Sequence, residues 1–425
     1  MKKDVKKKKN IKKKKKNNFF SKLKKNISKQ INGKDVASFS IIEVVLVILI
    51  SILFGVIVGY FINYSKNDTT KDSNLNEIVS TYNTLVNNYY GAVDKNKVSD
   101  AAIKGMVESL GDPYSNYMSG ETAEEFNESI DGSFTGIGVV IQNGEEYTTI
   151  IEVYEDSPAN KSGLKEGDSI IKVNGEDVKG KTGSDLAKMI RGKKGTKVNL
   201  VIRRGEEELS IDVTRDVVDL ISVTDKIIDY EGKNIGYIRI DSFAANTYSQ
   251  FYKSLRALEN KKIDSLIIDV RSNPGGHLQQ TKQILSLFFN SRTVLYQIKS
   301  KGKVEKAYSY SNEVRKYPIA ILIDSGSASA SEILASCFKE NYKKVFIVGT
   351  TTYGKGTVQK TQTLKNGTTI KYTTETWLTS KGKSINKLGV TPTVEVKLDD
   401  AYFENPCDEN DNQLKEALNK LKESK

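Results

Sequence analysis

Apolar residues along this 425-residue chain change their spacing several times, and each spacing predicts a different element. Phe39 to Tyr60 is an apolar run whose only charge is Glu43, and it continues into Phe61 and Ile62. At about 1.5 Å per residue a helix of that length spans a bilayer. From Leu75 to Leu110 the apolar positions recur at helical spacing, at Ile78, Tyr82 and Leu85 and again at Ile103, Met106, Val107 and Leu110. Two helices are expected there, ended by the turn Gly111-Asp112-Pro113-Tyr114-Ser115. Residues 134–219 read as short strands with one helix beginning near Ser184. Beyond Val217, strands near 235–240, 265–270, 319–323 and 345–348 alternate with helices near 244–258, 278–289 and 332–338. Such alternation predicts an α/β core with a mostly parallel sheet. A strand at 369–378 and a helix at 412–421 close the chain.

These changes divide the chain into a Lys-rich tail (1–38), an apolar span (39–62), a linker (63–74), a helical region (75–130), a β-domain (131–219), an α/β core (220–400) and a C-terminal tail with a helix (401–425). The net charge of +12 suggests a nucleic-acid partner until its distribution is considered. The first 34 residues hold sixteen lysines and one aspartate, about +15, which leaves the remainder near −3. The excess is a tail rather than a binding face, and no nucleic-acid partner is expected. Lysines on one side of the apolar span put the N-terminus in the cytoplasm and residues beyond about 64 outside. With no small-residue cleavage site, a retained single-pass signal anchor is expected, its lysines facing anionic headgroups. Cys337 and Cys407 are the only cysteines, without metal-ligand spacing, so no metal, organic cofactor or disulfide framework is expected.

Candidate chemistry concentrates in three segments. Ser327-Ala-Ser-Ala-Ser-Glu332 follows the apolar strand at 319–323 through Ser325 and Gly326 and opens an apolar helix. A hydroxyl at a helix start lies in the field of unpaired N–H groups, which favours a developing alkoxide and an acyl-transfer oxyanion. Such a serine needs a base. His277 is the only histidine, and Lys355 is set apart from the other lysines by small neighbours and a preceding apolar strand. Either can serve, the lysine only if burial lowers its pKa. The third segment, Ile267 to Gly276, is a strand ending in Asn273-Pro274-Gly275-Gly276, a turn able to aim a backbone N–H at an oxyanion.

In this order, Ser327 to Glu332, Gly354-Lys355-Gly356-Thr357-Val358-Gln359 and the Asn273 to Gly276 turn resemble the carboxyl-terminal processing peptidases, or tail-specific proteases, over roughly residues 75–418. These are serine peptidases with a Ser-Lys dyad. The resemblance implies that Ser329 is the nucleophile, Lys355 the general base and Gln359 its positioner. It also implies an oxyanion hole from the N–H of Ala330 and one from Gly275 or Gly276. The Ser329–Lys355 separation is one residue longer than the usual family spacing, within the loop near 341–344, and His277 stands where an apolar residue is usual.

Phe134-Thr135-Gly136-Ile137-Gly138-Val139 resembles the carboxylate-binding loop of PDZ domains. The resemblance implies that Gly136, Ile137, Gly138 and Val139 receive a substrate C-terminus, with Leu186 and Ile190 lining a small apolar pocket. It further implies that Arg191 carries peptide occupancy toward the catalytic lysine, and that residues 75–130 support a homodimer or a regulatory partner. The expected architecture is an α/β peptidase core, mostly parallel, with an inserted PDZ-like β-domain, an N-terminal helical segment and one transmembrane helix. The expected activity is that of a membrane-anchored extracytoplasmic serine endopeptidase that binds proteins or peptides by their free C-termini. A membrane-tethered PDZ adaptor or holdase with a silent core is the other reading.

Overall fold

The computed structural model describes residues 40–66, 73–364 and 367–424. The Lys-rich tail and half of the expected linker, residues 67–72, lie outside the described residues. Two compact units are present, residues 1–98 and 99–425. In the first, the helix Ile41–Lys66 follows from the apolar run, and its side chains are exposed throughout 41–59. Glu43, the single charge in that run, sits in the first turn, where its carboxylate accepts the Ser40 N–H at 2.5 Å and the Ser40 hydroxyl accepts the Glu43 N–H at 3.3 Å. The charge therefore satisfies donors that the helix start leaves open. A second helix, Ser73–Asn88, is amphipathic yet has no buried residue. The helix Lys95–Glu108 leads into the second unit.

Within the second unit the β-domain is an antiparallel sheet in the order Val139–Gln142, Thr148–Val153, Ser169–Val173, Lys197–Arg204, Glu207–Thr214. Its core gathers Ile137, Ile150, Leu164, Ile170, Val198, Leu200 and Ile202 with Leu186 and Ile190 of the helix Gly183–Ile190. That helix starts where Thr182 and Asp185 cap each other. Ser133–Gly136 pairs antiparallel with Asp216–Asp219, so the two ends of the β-domain leave it side by side.

The α/β core departs from the expected mostly parallel sheet. One six-stranded sheet is mixed, in the order Val223–Tyr230, Lys233–Ile240, Ser265–Asp269, Ile319–Ile323, Val345–Gly349, Val394–Glu395, with the first pair antiparallel and the rest parallel. A second sheet is wholly antiparallel and joins Asn116–Met118, Thr357–Thr363, Thr369–Leu378, Val294–Ser300 and Lys303–Tyr308. Two tight turns make one antiparallel pair in each sheet. Glu231-Gly232 and Lys301-Gly302 both have positive φ at each residue, the backbone that a two-residue hairpin requires. Each folds its flanking strands back antiparallel, where a crossover helix would have made them parallel.

Ser265–Asp269 and Ile319–Ile323 are buried along their whole length because both faces of their sheet are covered. On one face lie the helices Thr247–Asn260, Leu278–Ser286 and Ala330–Asn341, packed through Phe251, Phe288 and Phe338. On the other lies the C-terminal helix Asn412–Glu423, which seats Leu414, Ala417, Leu418 and Leu421 against Ile235, Ile267, Ala320 and Leu322. The ends of the two central strands are thereby fixed, and the candidate chemistry sits at those ends.

Candidate active site

Strand Ile319–Ile323 ends at Asp324, whose carboxylate accepts the N–H groups of Gly326 (2.9 Å), Ser327 (2.9 Å) and Ser272 (2.8 Å). The chain turns there and reaches Ser329 at φ 54, ψ −109, a left-handed conformation that is strained for any residue bearing a Cβ. Ser329 is the residue immediately before the helix Ala330–Asn341. Its neighbours serve as ties: Ser327 Oγ donates to the Val270 carbonyl at 2.7 Å and Ser331 Oγ to the Asn273 carbonyl at 3.0 Å. The first ties the serine turn to the end of the neighbouring strand, the second to the Asn273 to Gly276 turn.

That second turn packs directly on Ser329. A Cβ placed on Gly275 (φ 101) would lie 2.8 Å from the Ala328 carbonyl oxygen, 2.9 Å from Ser329 Cβ and 3.0 Å from the Ala330 nitrogen, so only glycine fits. The Gly275 N–H is spent on Asn273 Oδ1 at 2.8 Å. Among the described residues the Gly276 and Ala330 N–H groups have no acceptor; Ala330 follows the serine in the chain, and Gly276 lines the same cavity as the serine. Of the two glycines, Gly276 is the one with an N–H to offer.

Glu332, three residues after Ser329, is completely buried and gathers four donors. One carboxylate oxygen accepts the Ser329 N–H (2.8 Å) and the Lys355 N–H (2.9 Å); the other accepts the Thr352 hydroxyl (2.6 Å) and the Gly354 N–H (2.7 Å). The backbones of Ser329 and Lys355, 26 residues apart in sequence, thus hang on one side chain. Lys355 is fixed further by Trp377, whose Nε1 donates to its carbonyl at 2.8 Å.

Ser329, Lys355 and Gln359 line one cavity of about 610 Å³ together with Phe126, Ile130, Phe243, Gly276, His277 and Lys371. Burial, joined by the nearby charge of Lys371, holds the Lys355 amine below the ordinary lysine range, while Glu332 and Asp112 pull the other way. The amine lies 4.9 Å from the centre of the Tyr114 ring and makes no hydrogen bond to Ser329. Tyr114 is carried by the 111–115 turn, and Asp112 secures that turn by accepting the Ser115 hydroxyl (2.6 Å), the Thr373 hydroxyl (2.6 Å) and the Tyr114 N–H (3.1 Å). Gln359 contacts not Lys355 but the hydroxyls of Thr357 (2.9 Å) and Thr373 (3.1 Å) through its Nε2. His277 Nε2 lies 3.1 Å from the Ile130 carbonyl oxygen. A carbonyl only accepts, so this nitrogen carries a proton and cannot take one from Ser329.

In the β-domain, Gly136 ends its strand, and the Ile137 and Gly138 carbonyls accept from Ala159 (2.8 Å) and Tyr154 (3.1 Å). Val139 begins the edge strand Val139–Gln142. Leu186 and Ile190 are buried in the domain core with Ile137. Arg191 pairs with Glu128 at 3.2 Å, and Glu128 belongs to the helix Glu121–Asp131, whose Phe126 and Ile130 line the cavity.

Comparison with known proteins decides the family. A family model described as peptidase family S41 matches residues 234–396, a PDZ-domain model matches 149–204, and a model of the activating protease CtpB N-terminal domain matches 61–122. The carboxy-terminal processing protease CtpB of Bacillus subtilis is 39% identical over 356 residues, covering 83% of this chain and 72% of that protein. The chain belongs to the carboxy-terminal processing proteases of family S41. CtpA of the same organism is 38% identical over 338 residues, 79% of this chain and 72% of the relative. Among solved structures, a photosystem II D1 C-terminal processing protease is 25% identical with a TM-score of 0.44, covering 75% of this chain and 88% of that one. The family and PDZ-domain matches and the two Bacillus relatives make this protein a serine-type carboxyl-terminal processing peptidase with a PDZ domain.

Sequence reasoning passed over several residues of this S41 protease's site. Glu332 was visible as the one charge in the apolar start of its helix, a position that a buried carboxylate occupies only when well supplied with donors. Asp112 and Tyr114 were read as turn residues, and nothing local connects them with residue 355. Lys371 sits among alternating polar residues of a strand, where a surface lysine is the ordinary expectation.

Proposed function

We propose that this S41 protease is a membrane-anchored endopeptidase whose Ser329 attacks the scissile carbonyl while Lys355 takes the hydroxyl proton. The lysine then passes that proton to the leaving amine, and water, activated by the same lysine, hydrolyses the acyl-enzyme. The Ala330 and Gly276 N–H groups stabilise the tetrahedral oxyanion. One observation carries this reading. A serine in strained backbone conformation shares its cavity with a half-buried lysine whose pKa is depressed, and both backbones are bound to Glu332.

The amine resting over Tyr114 supports a cycle with two lysine positions. The ring face favours the charged ammonium, whereas proton abstraction needs the neutral amine turned toward Ser329. Substrate docking by a C-terminal carboxylate at the Gly136 to Val139 loop selects the second position, with Arg191 and Glu128 as the link between the PDZ domain and the cavity wall. The apolar helix, Ile41–Gly59 at its most apolar, supports a single membrane pass, and the lysines preceding it orient the catalytic domain outward.

A fluorophosphonate probe tests the chemistry without knowledge of the natural substrate. The full-length chain in detergent is expected to label at one serine, with labelling lost in Ser329→Ala and nearly lost in Lys355→Ala. Undiminished labelling in either variant defeats the dyad.

A further inference from the structure

We propose that Lys371 is a second functional lysine of this cleft, a positive charge that transfers no proton itself and is set against Lys355 to keep that amine free for catalysis. The proposal rests on the reading of Lys355 as general base.

Lys371 stands on the strand Thr369–Leu378, opposite Thr361 of the antiparallel strand Thr357–Thr363, which begins two residues after Lys355. Its side chain lines the same cavity as Ser329 and Lys355. The ammonium lies 5.3 Å from the centre of the Phe126 ring, and among the described residues it has no hydrogen bond or ion pair. Lys360, on the neighbouring strand, is handled differently: its amine lies 3.8 Å from Glu375. A half-buried ammonium with no ion pair among the described residues thus shares its cavity with a second amine, and the Lys360–Glu375 pair lines the same cavity. Two like charges in one desolvated space cannot both be held cheaply, so one amine yields its proton.

Lys355 is the one that yields. Burial lowers both amines, and at Lys355 the charge of Lys371 acts in the same direction as burial. Opposing groups surround both. Glu332 from the helix and Asp112 from the 111–115 turn favour the charged form of Lys355, and Asp112 does the same for Lys371. Tyr114, whose ring faces the Lys355 amine, interacts in turn with Tyr353. Burial lowers the Lys371 amine too, while the Phe126 ring face and Asp112 favour its charged form.

The test is the pH dependence of fluorophosphonate labelling in the full-length chain, compared among wild type, Lys371→Met, Lys371→Arg and Lys355→Ala. Methionine keeps much of the apolar bulk and removes the charge. Its acid limb is expected to move to higher pH, with labelling near pH 7 reduced several-fold and the plateau at high pH preserved; arginine is expected to restore the wild-type limb. Equal melting temperatures for wild type and Lys371→Met establish that the limb moved without a loss of fold. An unmoved limb, or a uniform fall at every pH, in a background where Lys355→Ala is inactive overturns the role of Lys371 alone. Full labelling by Lys355→Ala overturns the dyad, and this proposal with it.

Discussion

Replacing Glu332 by glutamine keeps its shape and removes its charge, and the four hydrogen bonds allow the cost to be worked out. An amide offers one oxygen, so one of the two donor pairs must face an NH2 group. If the amide nitrogen faces Thr352 and Gly354, the Thr352 hydroxyl can reverse and accept, which leaves the Gly354 N–H stranded. A stranded buried donor costs about 1–3 kcal/mol, and loss of charge assistance on the Ser329 and Lys355 bonds adds roughly 1 kcal/mol more. Glu332→Gln is therefore expected to lose about 2–4 kcal/mol. Glu332→Ala strands three backbone N–H groups and is expected to lose more than about 5 kcal/mol, close to the whole stability of an ordinary domain. Trp377, the only tryptophan, is buried and bonded to the Lys355 carbonyl, so its fluorescence during urea unfolding reports on this region. The charge has a second readout. Glu332 raises the Lys355 pKa, so its removal should move the acid limb of labelling to lower pH, opposite to Lys371→Met. A glutamine variant as stable as wild type, or a limb displaced upward, refutes the assignment of Glu332 as the shared anchor.

Three further outcomes are expected. Gly275→Ala forces a Cβ into the Ala328 carbonyl and Ser329, at a positive φ; it should cost roughly 2–4 kcal/mol and reduce labelling about tenfold or more, measured by melting and by probe kinetics. Asp411→Ala leaves the buried Arg271 guanidinium with Asp269 and Gln413 as its remaining partners, and should destabilise the core by roughly 3–5 kcal/mol in urea titration. Arg191→Gln breaks a half-exposed pair with Glu128 and a contact 6.0 Å from the centre of the Phe134 ring, so stability should change by no more than about 1 kcal/mol. Any acceleration of labelling by an added peptide with a free C-terminal carboxylate should nevertheless disappear; an undiminished acceleration rules out Arg191 as the link.

Local chemistry was enough to read much of this protein from its sequence. The apolar run over residues 41–59, the strand Ile319–Ile323 with its helix beginning after Ser329, the strand Thr369–Leu378 and the glycine turn beside the serine are all set by neighbours within a few residues. The order of the three motifs sufficed for the family. The Glu231-Gly232 and Lys301-Gly302 hairpins were also legible in principle, since each is a two-residue glycine turn between candidate strands. Other features depended on packing. Asp112 meeting Thr373, Glu332 binding both Ser329 and Lys355, and Lys371 entering the cleft are decided by the way the sheets come together. Contacts closed across such long loops leave no periodic trace in the chain. Their geometry arises only when burial of the surrounding apolar surface offsets the entropy of bringing distant segments together.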